Sequence, residues 1–227
     1  MKSPLFVSLL AAAGAIPMLA GTVNVTFSGA NGQTDSSGYL ISPYTATLNG
    51  VSTTIYCDDF ANEVTNGESW TANVTNMASG NLSNTRYGAD SDSLLTQGGT
   101  DQSFNALQVY EMAAWLTTQF APSGSTGYAN NGAIQDTIWD LFNPNTENPN
   151  VHPPTPSSNT WLFAAEQNYS KINPANFNIL TNTGVQGTGQ EQEFIFAPEP
   201  GSLVMLGIGI AAMAFGSLRK RLLPAKS

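Results

Sequence analysis

The sequence predicts an α+β fold: β-sandwich or barrel-like strands with an inserted small helical portion, then one C-terminal transmembrane helix. Three observations carry that expectation. Apolar residues alternate along the first part of the chain, their spacing becomes helical in the middle, and strand-like segments return before a long uncharged run.

Val23, Val25 and Phe27 alternate in GTVNVTF and mark the first strand. Thr45 to Leu48 and Val51 to Cys57 flank Asn49-Gly50, a pair that readily takes the positive φ of a tight hairpin turn. In the second arm Val51, Thr53, Ile55 and Cys57 share one face, which points Cys57 inward and Tyr56 and Asp58 the other way. A further strand is expected from Ser69 to Thr75. Between Phe104 and Phe120, Val109, Met112, Ala113, Leu116 and Phe120 fall on one helical face. The loop APSGSTGYANNG interrupts that pattern through Pro122 and its glycines. Ile134, Ile138, Leu141 and Phe142 restart it, with Asn130 or Asn131 to cap the helix and Pro144 to stop it. A proline-rich loop leads to a third short helix near Trp161 to Tyr169. Two strands, Phe177 to Thr181 and Gln190 to Phe196, joined by a Gly-rich turn, complete the domain.

The two ends read differently. Residues 1–20 carry one cation, Lys2, then a short apolar run, Pro17 and small residues. That layout predicts a secretory signal peptide, cleaved after Ala20 by signal peptidase. Near the other end, 201–218 is an uncharged and mostly apolar run, long enough for a short transmembrane helix. Arg219, Lys220 and Arg221 follow directly, a basic cluster that holds the C-terminus in the cytoplasm and leaves the bulk of the protein on the far side. Pro198, Glu199 and Pro200 precede the helix. This order of triplet, helix and basic stop resembles the PEP-CTERM sorting signal of Gram-negative bacteria, a segment also described as an ice-binding-protein C-terminal motif. It covers 198–223. The resemblance implies processing by an exosortase and delivery to the cell envelope, the outer surface or an extracellular polysaccharide matrix. The residues themselves give no sign of ice binding.

Between these signals lies an extracytoplasmic module, 21–197, large enough for one domain with a real core. Only two basic residues, Arg86 and Lys171, stand there against fifteen acidic ones, a net charge of −13. Such a surface repels nucleic acid and anionic membranes, so both are excluded as partners of the module.

Cys57 is the chain's single cysteine, so no internal disulfide is available to it. It follows an aromatic residue on a strand, in IYCDDF. Downstream, AIQDTIWDLF sets Gln135 and Trp139 at i and i+4 on one helical face. A helix rich in Ala and aromatics, ALQVYEMAAWL, comes before it. Together these segments resemble the thioester domains of bacterial surface adhesins over roughly 54–142. In that family a strand cysteine bonds to a helix glutamine, and the resemblance implies a Cys57–Gln135 thioester surrounded by Tyr56 and Trp139. The chemistry stands on its own terms. A thiol held against a carboxamide carbon can expel ammonia if sulfur and carbon are in near-attack contact and donors await the developing oxyanion. A dry aromatic setting, for which Tyr56, Trp139, Tyr110 and Trp115 are available, would protect the product. The stored acyl group could then capture a partner amine such as a lysine. Asp58 and Asp59 oppose this, since negative charge beside a thiol raises its pKa. The alternative is a small buried thiol that merely packs, the usual fate of a free cysteine.

Other chemistry finds little support. A Cys–His hydrolase would need His152, the only histidine, which sits in the proline loop VHPPTP. Asp90, Asp92 and Asp101 could touch Ca²⁺ but lack any recognised loop pattern, and Asp58, Asp59 and Glu63 read as a strand end rather than a cation site. No zinc spacing, phosphate loop or nucleotide motif is present, so no metal and no cofactor are expected. The sequence therefore predicts an exported, non-enzymatic attachment module, with a surface amine or a matrix polysaccharide as partner. The alternatives are an unreactive structural protein of the matrix and, more distantly, a secreted hydrolase.

Overall fold

The computed structural model describes residues 21–30, 32–88, 104–142, 156–184 and 191–197, with backbone alone for 156–159. Six strands form a closed antiparallel barrel: β1 (Gly21–Ala30), β2 (Tyr44–Leu48), β3 (Val51–Cys57), β4 (Ser69–Asn76), β5 (Asn178–Asn182) and β6 (Phe194–Phe196). Their order around the ring is β1-β2-β3-β6-β5-β4. Three helices, α1 (Ala106–Thr117), α2 (Asn131–Phe142) and α3 (Pro156–Asn168), are inserted between β4 and β5. The sandwich-or-barrel expectation thus resolves to a barrel, because β6 fits between β3 and β5 and closes the ring.

Local chemistry explains the elements. Asn49 and Gly50 take φ of 49° and 84°, the mirror-image turn that matches strand twist. Asn49 also ties the hairpin to β1, accepting from the Asn24 N–H at 2.9 Å. Alternation holds in β1, where Val23, Val25 and Phe27 are buried and Thr22 and Asn24 are exposed. The register with β2 shifts between Phe27 and Gly29, a bulge in which Gly29 adopts φ 126°. At the N-terminus of α1, Asn105 and Gln108 exchange side-chain and backbone hydrogen bonds in a full capping box.

Two apolar clusters result. The barrel interior holds Val25, Phe27, Tyr44, Ile55, Cys57 and Trp70, with Phe194 stacked between Phe27 and Trp70. The helices pack a second cluster against Ile179 and Ile195, which face outward from β5 and β6. Each large side chain fully buried in these clusters contributes roughly 1.5–3 kcal/mol. Trp139 belongs to α2 but joins the barrel cluster. It plugs the barrel on the side where α2 docks.

Several boundaries differ from the sequence expectation. The third helix starts at Pro156 and gives way to a 3₁₀ turn at Tyr169. The last strand is only Phe194–Phe196, because residues 191–193 turn away into a polar cluster described below. Asn131 is the first residue of α2 rather than its cap. Its side chain bonds to Ala121 N–H and carbonyl and to Gln33, which pins the preceding loop instead. Among the described residues no helix is long and apolar enough to cross a membrane. The expected signal peptide, the Pro198-Glu199-Pro200 triplet, the helix 201–218 and the cluster Arg219, Lys220 and Arg221 lie outside the described residues, as does Pro144.

Candidate functional site

Cys57 is the last residue of β3, and Gln135 lies one turn into α2. Both are fully buried. The Gln135 amide nitrogen donates to the Cys57 carbonyl at 2.8 Å. Its oxygen accepts from the Ser42 backbone N–H at 3.1 Å. Ser42 Oγ in turn accepts from the Cys57 N–H at 2.9 Å. The carboxamide is therefore clamped at both ends beside residue 57, with no freedom to flip. A backbone donor already sits on the oxygen that would gain charge if sulfur attacked the amide carbon.

The thiol itself donates to the Asp59 carbonyl at 3.3 Å. Burial first, then the Asp59 and Asp58 charges, push the Cys57 thiol well above its ordinary value. The Trp139 indole N–H works in the opposite direction, lying close enough to the sulfur to favour the thiolate although it makes no ordinary hydrogen bond. A free thiolate is therefore disfavoured near neutrality. Attack at this sulfur would require its proton to leave as the bond forms.

Trp139 is covered in turn by Phe60, at 4.9 Å between ring centroids, and by Tyr39, at 6.5 Å. The other aromatic residues expected around the bond lie elsewhere. Tyr56 faces Phe120 at 5.2 Å, and Trp115 packs near Trp161. Tyr110 is buried under a carboxylate cluster on the far side of β3.

That cluster joins Asp58, Asp59 and Glu193, all inaccessible to solvent, with one cation, Arg86. Asp59 is richly partnered: Arg86 Nε at 3.0 Å, Tyr87 OH at 3.0 Å, and the Asn62 amide and Ala61 N–H besides. Glu193 accepts from Tyr110 OH, Thr181 OH and the Arg86 N–H. Its pKa is nevertheless pushed up to about 7, because burial outweighs those donors. Neither carboxyl oxygen of Asp58 has a hydrogen-bond partner. Burial, then the Glu193 and Asp59 charges, raise its pKa well above the carboxylate range. The site therefore favours the neutral carboxylic acid of Asp58 over its carboxylate. Glu63, grouped with these residues in the sequence, is exposed whereas they are buried. Among the described residues no set of His, Cys, Asp and Glu side chains is arranged to hold a metal ion. His152, Asp90, Asp92 and Asp101 lie outside the described residues.

Sequence reasoning missed Ser42, Tyr39, Phe60, Arg86 and Glu193. Only Arg86 carried a signal: one of two cations in so acidic a module is expected to serve a buried acid. Comparison of the chain with protein-family models, curated proteins and solved structures finds no match.

Proposed function

We propose that this is an exported attachment module in which Cys57 and Gln135 form an internal thioester. The observation that supports it is the clamp on the Gln135 carboxamide, donor on the oxygen and acceptor on the nitrogen, beside the chain's only cysteine. In the forming step, Cys57 Sγ bonds to the Gln135 amide carbon while the carbon–nitrogen bond breaks. The thiol proton goes to the departing nitrogen, and ammonia leaves. The Ser42 N–H stabilises the charge on the amide oxygen throughout. Trp139, with Phe60 and Tyr39 over it, keeps water from the product. A primary amine of a partner, such as a lysine, then attacks the acyl carbon, forming an amide to residue 135 and returning the Cys57 thiol. The event happens once per molecule and is not catalytic turnover. In this reading signal peptidase and an exosortase process the two ends, with the 201–218 helix holding the chain in the membrane until sorting delivers it to the envelope, outer surface or matrix of a Gram-negative cell.

A second reading has its own observation. Both ends of the Gln135 amide are hydrogen-bonded and the thiol pKa is raised, as for an unreactive buried pair in a structural matrix protein. Intact-mass measurement separates the two. The thioester form is lighter by one ammonia, that deficit disappears in Cys57→Ala, and methylamine opens the bond with a matching gain in mass. Full mass together with a thiol that alkylates on unfolding without prior amine treatment rejects the thioester.

A further inference from the structure

Where the β1 bulge meets the loops 32–43 and 60–66, a groove of about 820 Å³ opens above Trp139. That volume is within the range of small-molecule sites, roughly 300–1,000 Å³. Its apolar elements are Tyr39 and Leu40, adjacent in sequence and 50% and 53% exposed, with Phe60 behind them. Tyr39 meets Phe60 nearly edge-on, at 5.2 Å and 83°. Large apolar side chains left in water side by side are the material of an apolar patch, the kind of surface that marks binding sites. The polar elements are neutral amides, chiefly Asn66 and Gln192, neither of which makes a side-chain hydrogen bond within the described residues. Part of the wall is bare backbone. Gly38, at φ 90°, would meet nothing within 4 Å if it bore a Cβ.

We propose that this groove is a non-covalent binding site for a neutral oligosaccharide, independent of Cys57. A pyranose presents a face of C–H groups and a rim of hydroxyls. Flat rings flanked by amides with unused donors and acceptors complement both at once. Charge narrows the class. Among the described residues Glu63 is the only charged side chain lining the groove, and no cation lines it. With a net −13 on the module, uronate-rich, sulfated or phosphorylated polymers are repelled. An extended peptide has no strand edge to join, because the barrel is closed.

The test uses the full chain carrying Cys57→Ala, so that failure of the thioester reading leaves it untouched. Cellohexaose, mannohexaose and chitohexaose are titrated by calorimetry and by tryptophan fluorescence, with a lysine-rich peptide in parallel. At least one hexasaccharide is expected to bind saturably and to perturb the emission of Trp139. Tyr39→Ala and Asn66→Ala are each expected to weaken it at least tenfold, with the far-UV circular dichroism retained in both and the melting temperature unchanged in Asn66→Ala. Binding to none of the three sugars, binding of the peptide alone, or sugar binding indifferent to both variants overturns the proposal.

Discussion

The two sides of residue 57 are built from opposite chemistry. Toward α2 lies a neutral network of Gln135, Ser42 and the Cys57 backbone, in which each donor has one acceptor. Toward β6 lie three buried carboxyl groups and one guanidinium, with more negative charge than the cation can balance. A neutral network is indifferent to pH and is lost only by deleting a member. Burial raises Asp58 and Glu193, so protons stabilise the acidic side, and its stability belongs to the solution as much as to the sequence.

The sharpest way to break this contrast is to remove the cation. Arg86→Ala leaves the buried Asp59 without its counter-ion, a change expected to cost about 3–5 kcal/mol in chemical denaturation. A loss below about 1 kcal/mol would mean that the acidic side simply takes up another proton, and that the two sides differ less than their partners suggest. On the neutral side, Gln135→Ala strands the Ser42 N–H and the Cys57 carbonyl together. The expected loss is about 2–6 kcal/mol, at about 1–3 kcal/mol for each of the two buried groups left unsatisfied, and it should be the same at pH 5 and pH 8.

A finer test is pH itself. Glu193 is raised from an ordinary 4.5 to about 7, and Asp58 is raised as well. Groups shifted upward bind more protons in the folded state. For Glu193 that contribution is complete below about pH 4.5 and fades as pH rises through about 7, and Asp58 acts in the same direction. Denaturation midpoints should therefore fall between pH 5 and pH 8, by on the order of 2–3 kcal/mol. Asp58→Asn, which keeps the shape and removes the ionisation, should flatten that slope and raise stability at pH 8 relative to the parent chain. An unchanged slope in this variant would assign the proton to Glu193 alone.

Much of the fold was legible because its signals are local. Asn49-Gly50 specified the hairpin, strand alternation marked β1, and the Ile134, Ile138, Leu141 and Phe142 stripe located α2. Closure of the barrel was not, because it depends on three residues, Phe194 to Phe196, inserting between β3 and β5. The same division runs through the site. Cys57 and Gln135 stood out by residue type and helical spacing, whereas Ser42 holds the Gln135 oxygen through its backbone N–H, which any residue but proline could supply. Asp58 and Asp59 read as a polar strand end, since burial of consecutive acids becomes tolerable only with Arg86, Tyr87 and Glu193 brought in from distant segments.

Strand order also decides how the domain bears load. Tension applied through the chain beyond Phe196 meets the barrel at β6, and β1 lies on the opposite side of the ring. The pairings strained first are Tyr56 with Ile195 and Cys57 with Phe194 on one flank, and Asn178 with Phe196 on the other. A bond from Cys57 to Gln135 would run from that flank into α2 as a covalent strut, so a module tethered by its C-terminal end would be reinforced where pulling begins.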